Sequence, residues 1–318
     1  LELTYRCNLD CFFCYNDLNQ QGQPLSLEQY LRFFDELQTL GTMNLTLSGG
    51  EPLAHKDFFK LGSAARERGF VVRVKSNGHA LTGKLARRLQ TEVDPFIIEV
   101  SLHGATAATH DRQTRVPGSF AQLQRNLQEL RALGLRIKLN SPLTRWNAHE
   151  LPEMFALADA LGVRIEFDPQ ITLRDNGDTE PLSISPPPEA VAQLQALYAQ
   201  RASATPPAPQ IAAPPPPVTQ HCGAGSAVVA VDPYGNVYPC VQWRRAIGNL
   251  HRQSIQTIWL ATNPELAKVR AQNQAVKQML DQRGAQRLAF CPGSAEQQTG
   301  NATQLYPAAK LALSLKTH

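Results

Sequence analysis

Three cysteines stand within eight positions near the start of the chain, at Cys7, Cys11 and Cys14 in "RCNLDCFFCYN". Thiols this close cannot all pair with one another, and an odd number leaves one over. Three thiolates on one short loop can hold three corners of an iron–sulfur cubane, whose full set of ligands is four. A cluster bound in this way keeps one iron open, and an open coordination position separates catalytic from sealed metal sites. Zinc is the rival, but a structural zinc site calls for a second Cys or His pair nearby, and none stands there. Inert buried thiols are the blander reading, although three on one polar loop is not how buried cysteine is usually met.

A second set of residues has chemistry to offer. "SGGEP" (Ser48–Pro52) places two glycines and a carboxylate in a turn. Glycines let backbone carbonyls approach a ligand closely. A phosphate cradle is the alternative, but the lysine and serine of a P-loop are missing. "SNGH" (Ser76, Asn77) and "SLHG" (Ser101, His103) are similar polar loops. The other three cysteines, Cys222, Cys240 and Cys291, lie in the last third of the chain, the first two in the pattern C-x12-G-x4-C with Gly235.

These residues need elements to place them. "LELTY", "MNLTLS", "FVVRVK", "FIIEVS", "RIKLN" and "VRIEF" read as six strands, near-continuous apolar runs suited to a sheet covered by helices. Between them lie capped helices. Ser26 with Gln29 forms a capping box ahead of Leu27, Leu31, Phe34 and Leu37; Ser119 with Gln122 is expected to open a second helix, closed by Gly134; Asn147 and Glu150 start a third, ended by Gly162. Strands alternating with crossover helices imply parallel order, hence an α/β fold, a partial (β/α)6 barrel with its active site at the C-terminal ends of the strands. The cysteine loop, "SGGEP", "SNGH" and "SLHG" all follow strands and so share one rim.

Residues 181–220 hold eleven of the 23 prolines and read as an extended spacer around a short helix at about 189–201. This divides the chain into 1–180, a linker at 181–220, and 221–318. The last part opens with a β-hairpin in "VVAVDPYGNVYPC", turning at Asp232–Asn236, and continues as helices over about 255–284 and 303–315. Trp243 and Trp259 read as core residues.

Composition bounds the rest. The chain has 318 residues, 42% hydrophobic and 18% charged, with a net charge of +4. Such a balance does not suggest nucleic acid. No apolar run approaches the roughly 18 residues of a membrane span, and no signal peptide is visible. Six cysteines without secretory marks favour the cytoplasm and metal binding over disulfides. The chain opens at Leu1 without a methionine, so upstream residues are expected to be missing.

Cys7-x3-Cys11-x2-Cys14, with aromatic Phe13 before the last cysteine and "SGGEP", "SNG" and "SLHG" behind it, resembles the signature of radical S-adenosylmethionine (SAM) enzymes. The resemblance implies a [4Fe–4S] cluster on Cys7, Cys11 and Cys14, with the amino and carboxylate groups of SAM on the open iron. It assigns Gly49, Gly50 and Glu51 to the methionine amino group, and Ser76, Asn77, Ser101 and Asn140 to the rest of the SAM site. One electron from the cluster, supplied by an external donor, would then cleave the sulfonium and yield a radical that abstracts hydrogen. His103 departs from the aspartate common at its position, and it and Arg115 are the weaker catalytic candidates. C-x12-G-x4-C resembles the start of a SPASM or shortened Twitch domain. Only Cys222, Cys240 and Cys291 remain there, which implies at most one auxiliary cluster. His221, Asp281, Glu296, Ser294, a water or a substrate thiol is its fourth ligand; alternatively the domain has lost its cluster. The resemblance implies a peptide- or protein-modifying maturase. The alternatives are a dehydrogenase of a small alcohol or carbohydrate, and a non-catalytic iron–sulfur protein.

Overall fold

The computed structural model describes residues 1–17, 19–203, 219–260, 262–286 and 288–314. Five parallel strands form the main sheet in sequential order: β1 (Asn44–Leu47), β2 (Val71–Ser76), β3 (Ile97–Ser101), β4 (Ile137–Pro142) and β5 (Arg164–Asp168). Strand alternation divides the sheet into two unlike faces. Leu45, Leu47, Val72, Val74, Ile98, Val100, Leu139, Ile165 and Phe167 pack into one core with α1 (Leu27–Thr39), α2 (Phe58–Glu67), α5 (Ser119–Ala132) and α6 (Leu151–Ala160). The other face is polar: Lys75, Glu99 and Lys138 are register neighbours, and the buried Glu99 carboxylate lies within 3.8 Å of Arg73 and Lys75 and 3.5 Å of Lys138.

The sixth expected strand, "LELTY", falls short of one. It meets the edge of β1 through the single bridge Glu2↔Ser48. Hydrogen bonds still run beside it, from Leu3 N to Ser48 O, Gly50 N to Thr4 O and Glu51 N to Arg6 O. The ladder breaks because Gly49 turns to a φ of +142° just where the pairing would continue. Glu2 also donates its N–H to Val231 O at 2.8 Å, so this segment lies between two sheets.

The expected capping box is present at α1, where Ser26 Oγ accepts from Gln29 N and Gln29 Oε1 accepts from Ser26 N. The other two helices begin where expected, but their capping differs. Gly118, at φ +81°, is the N-cap of α5, and Ser119 is already helical. Asp111 of α4 (Ala107–Thr114) does the capping instead, accepting from Gly118 N at 2.6 Å and Phe120 N at 2.8 Å. Asn147 and Glu150 precede α6 but their side chains serve tertiary contacts: Asn147 Nδ2 donates to Pro142 O and His103 O, and Glu150 accepts from Ala105 N, Thr106 Oγ1 and Thr109 Oγ1. Polar residues that read as local caps are here recruited to hold the loop after β3.

The short helix expected within the proline-rich stretch is present, but it packs on the core and is no free spacer. Pro188–Ser203 forms α7, which buries Ala190, Val191 and Leu194 in the main core. Tyr198 Oη accepts from Phe167 N at 2.9 Å, and Arg201 pairs with Asp159. The part at 204–218 lies outside the described residues. Beyond it, β6 (Ala230–Val231), β7 (Asn236–Tyr238) and β8 (Gly248–Asn249) make a small antiparallel sheet. Its first turn forms as expected because Asp232 accepts from both Tyr234 N and Asn236 N, with Gly235 at φ +78°. The helical stretch expected over 255–284 is broken into α8 (Ile255–Trp259) and α9 (Pro264–Gln282), since Asn263 caps the second piece ahead of Pro264. Then follow α10 (Pro292–Thr299) and α11 (Pro307–Ser314).

Candidate iron–sulfur and cofactor site

All six cysteines are free thiols. Burial pushes Cys7, Cys11 and Cys14 above the ordinary thiol range, Cys14 to about 11, and the charges of Cys14 and Cys7 push Cys11 up further. Each raised value records a cost of holding charge in a buried place, so three thiolates gathered here call for a cation. Among the described residues no three His, Cys, Asp or Glu side chains converge on the position of one ion. Three thiols on one loop are the donor set that a cubane takes at three of its corners.

The loop that carries them is held from several sides. Asp10 N and Phe12 N donate to Thr114 O and Gln113 O at the end of α4. Phe12 lies between Trp146, at 4.7 Å, and the Arg115 guanidinium, at 4.7 Å. Arg115 pairs with Asp10 at 3.4 Å and Glu180 at 3.8 Å, so the carboxylates it meets are the protein's own. Phe13 stands against His103, 4.7 Å between ring centroids. The His103 imidazole is buried and kept neutral by burial and by the neighbouring His110, and its Nδ1 lacks a hydrogen-bond partner.

The glycines of "SGGEP" sit where side chains would collide with the strand that leads to Cys7. A Cβ on Gly50 would come within 2.6 Å of Arg6 O, and one on Gly49 would strike Thr4 O. Glu51 is 2% exposed. Its carboxylate accepts from Ser76 Oγ at 3.0 and 3.1 Å, Asn77 N at 2.9 Å and Leu53 N at 3.2 Å, and burial still raises its pKa to about 7. Asn77 in turn donates from Nδ2 towards Cys7 Sγ, at 3.6 Å, and to Asn8 Oδ1, at 2.9 Å. Cys7, Gly49, Gly50, Glu51, Ser76 and Asn77 therefore form one connected group. Ser101, the last residue of β3, is the register partner of Asn140 within β4, and Asn140 Nδ2 donates to Glu99 at 2.9 Å.

Cys222, Cys240 and Cys291 also gather. Burial, then the charges of Cys291 and Cys222, push Cys240 up to about 11. Asn273 of α9 organises the site: its Oδ1 accepts from His221 N and Cys222 N, while Nδ2 donates to Cys222 O and Ala224 O. Gly293 presses against Gln242 O, which brings the Cys291 turn onto the residues after Cys240. Two buried polar atoms beside this trio lack partners: Trp243 Nε1, on the turn that Cys240 opens, and Ser294 Oγ, whose own N–H meets Cys291 Sγ. Such orphans are uncommon in folded proteins, and their concentration beside three free thiols fits a site built around a further group.

Sequence reasoning passed over the residues between the two trios. Arg244, four positions after Cys240, reaches both oxygens of Glu2 at 2.7 and 2.8 Å and Asp175 at 3.0 Å. Tyr15, directly after Cys14, donates to Glu2 Oε1 at 3.0 Å, and Asp175 N donates to Tyr15 O. A charged residue inside the apolar run "LELTY" was the available signal for Glu2.

A family profile described as "Radical SAM superfamily" matches residues 1–158, and one described as "Iron-sulfur cluster-binding domain" (SPASM) matches 222–283. Mycofactocin maturase MftC of Mycobacterium tuberculosis is 32% identical over 255 residues, 75% of this chain and 63% of that protein. PqqA peptide cyclase of Ruegeria pomeroyi is 36% identical over 165 residues, 51% of this chain and 44% of that protein. AdoMet-dependent heme synthase of Methanosarcina barkeri is 27% identical over 282 residues, 81% of this chain and 80% of that protein. The chain thus spans less than two thirds of the length of the maturase and the cyclase. The crystal structure of Streptococcus suis SuiB bound to S-adenosylmethionine shares the fold, with a TM-score of 0.73 at 13% identity over 97% of this chain and 75% of that one. The cofactors of these two domains are a [4Fe–4S] cluster with SAM and an auxiliary iron–sulfur cluster. No helix among the described residues is long and apolar enough to cross a membrane. The chain belongs to the radical SAM superfamily and carries a SPASM match that contains Cys222 and Cys240, with Cys291 beyond it.

Proposed function

We propose that the protein is a radical SAM maturase that modifies a peptide or protein. The observation that carries this reading is the pairing of a three-thiol loop, docked on "SGGEP", with a second three-thiol site in the same molecule. In this reading Cys7, Cys11 and Cys14 hold the cluster, and Gly49, Gly50, Ser76, Asn77, Ser101 and Asn140 line the SAM site. Glu51 acts on the loop through Ser76 and Asn77. The cofactor supplies a carbon-centred radical when bound. The chain's own residues bind it, aim it and keep water away. Buried His103 and Phe13 form a dry wall beside Cys14, and the neutral imidazole adds no charge to it. An external donor supplies the electron. The names of the maturase and the peptide cyclase support a peptide substrate. A small-molecule substrate is the second reading, favoured by the broad coverage of the haem synthase.

The test is anaerobic reconstitution with iron and sulfide, followed by SAM and dithionite. Production of 5′-deoxyadenosine is expected. Intact, iron-loaded protein that makes none while a known relative does refutes the enzyme reading. A mass change in a small peptide encoded beside the gene distinguishes the maturase from the small-molecule reading.

A further inference from the structure

The second trio supplies three thiolates, and a cubane takes four ligands. We propose that the fourth ligand of the auxiliary cluster is the side-chain oxygen of Ser294. This rests on the reading that Cys222, Cys240 and Cys291 hold such a cluster.

Ser294 is 1% exposed, and its Oγ has no hydrogen-bond partner. A buried polar group left unpaired costs about 1–3 kcal/mol. A serine inside a helix normally escapes that cost by folding back on a carbonyl one turn earlier. Here Ser294 Oγ makes no such bond, and Phe290 O, one turn earlier, accepts from the His221 ring at 2.7 Å.

The position of Ser294 matches the need. Cys291 is the N-cap of α10, and Ser294 is the third helical residue. Residues three apart share a face of a helix, and Cys291 Sγ accepts from Ser294 N at 3.4 Å, so Ser294 follows Cys291 on the same face of α10. Cys291-x2-Ser294 also repeats the spacing of Cys11-x2-Cys14. Two of the other side chains raised from the sequence are occupied: Glu296 holds Arg245 at 2.8 and 3.0 Å and Gln272 at 3.3 Å, and Asp281 pairs with Lys277 at 2.8 Å. The His221 ring spends Nε2 on Phe290 O at 2.7 Å and keeps Nδ1, which makes it the rival that the experiment separates from Ser294.

Ligation exchanges the O–H bond of Ser294 for an Fe–O bond and releases one proton to solvent, so it strengthens as pH rises. An alkoxide is a harder donor than a thiolate and favours ferric iron, which lowers the potential of this cluster.

The experiment reconstitutes the full chain anaerobically and measures iron, electron paramagnetic resonance and redox potential. The parent is expected to hold about eight irons in two cubanes. Ser294→Ala should hold about seven and show the resonance of an oxidised three-iron cluster. Ser294→Cys should restore the eighth iron and raise the potential of one cluster only. Ser294→Ala with unchanged iron and potential overturns the assignment, as does His221→Ala producing the loss in its place. A Cys7→Ala, Cys11→Ala, Cys14→Ala variant separates the two claims. A cluster surviving there supports the second site; a folded variant without iron overturns both the site and its fourth ligand.

Discussion

The two cysteine trios reach the same donor set by opposite routes. The first lies on one loop, and its shape follows from contacts within a few residues and from the end of α4 beneath it. The second draws one thiol from before β6, one from after β7 and one from the start of α10, and Asn273 on a fourth element holds the first of them. A local site tolerates loss of distant packing but not of its own members. An assembled site depends on every element that converges on it. Arg244 joins the two, because it stands on the Cys240 turn and reaches Glu2, which also binds Tyr15 beside Cys14.

The sharpest break in the comparison comes from Cys14→Ala. It should abolish 5′-deoxyadenosine formation, by at least about 1,000-fold as expected when a central catalytic group is lost, while about half the iron, that of the second site, remains. Iron analysis and product assay on one sample check both parts.

Arg244→Met tests the joint. Removing one partner of a buried pair leaves uncompensated charge and costs about 3–5 kcal/mol. Urea denaturation should show this loss, and the iron of both sites should fall together. If only one site loses iron, the two are not coupled through this residue.

Asn273→Ala should cost about 3 kcal/mol, since it leaves the buried amides of His221 and Cys222 and the carbonyls of Cys222 and Ala224 without their partner. Here the loss of iron should be confined to the second site.

A smaller effect concerns the wall of the first site. Burial lowers the pKa of His110 from 6.5 to about 4. The unfolded chain then binds the proton more readily than the folded one between these values. The stability from a neutral His110 is whole above pH 6.5 and is lost as pH falls towards 4. From pH 7 to 5 this removes about 2 kcal/mol. His110→Gln should flatten that part of the pH profile in chemical denaturation.

Ser26→Ala is the control. Loss of the capping box should cost about 1 kcal/mol and leave the iron of both trios unchanged.

Legibility followed the same division. The alternation of strands and helices, the α1 cap, the first thiol loop and the hairpin at Asp232 are set by neighbours in the chain, so pattern and spacing reveal them. Ser119, Asn147 and Glu150 marked the helix starts but not what their side chains do, because a polar residue there has the same appearance whether it caps the helix or reaches across the fold. The packing of α7 was hidden by the prolines around it, although Val191 and Leu194 carry an apolar face of their own.

From the residues alone came the α/β class, the three-thiol loop, its companion "SGGEP" and the thinned second domain, because each depends on short-range spacing. Only the tertiary structure decided that the first segment is an edge bridge and that Glu51 is a buried acceptor. It also brought Glu2, Asp175 and Arg244 into one ion network, and left Ser294 without a partner beside Cys291. Contacts of that kind join residues far apart in the chain, and no local pattern encodes which of them meet.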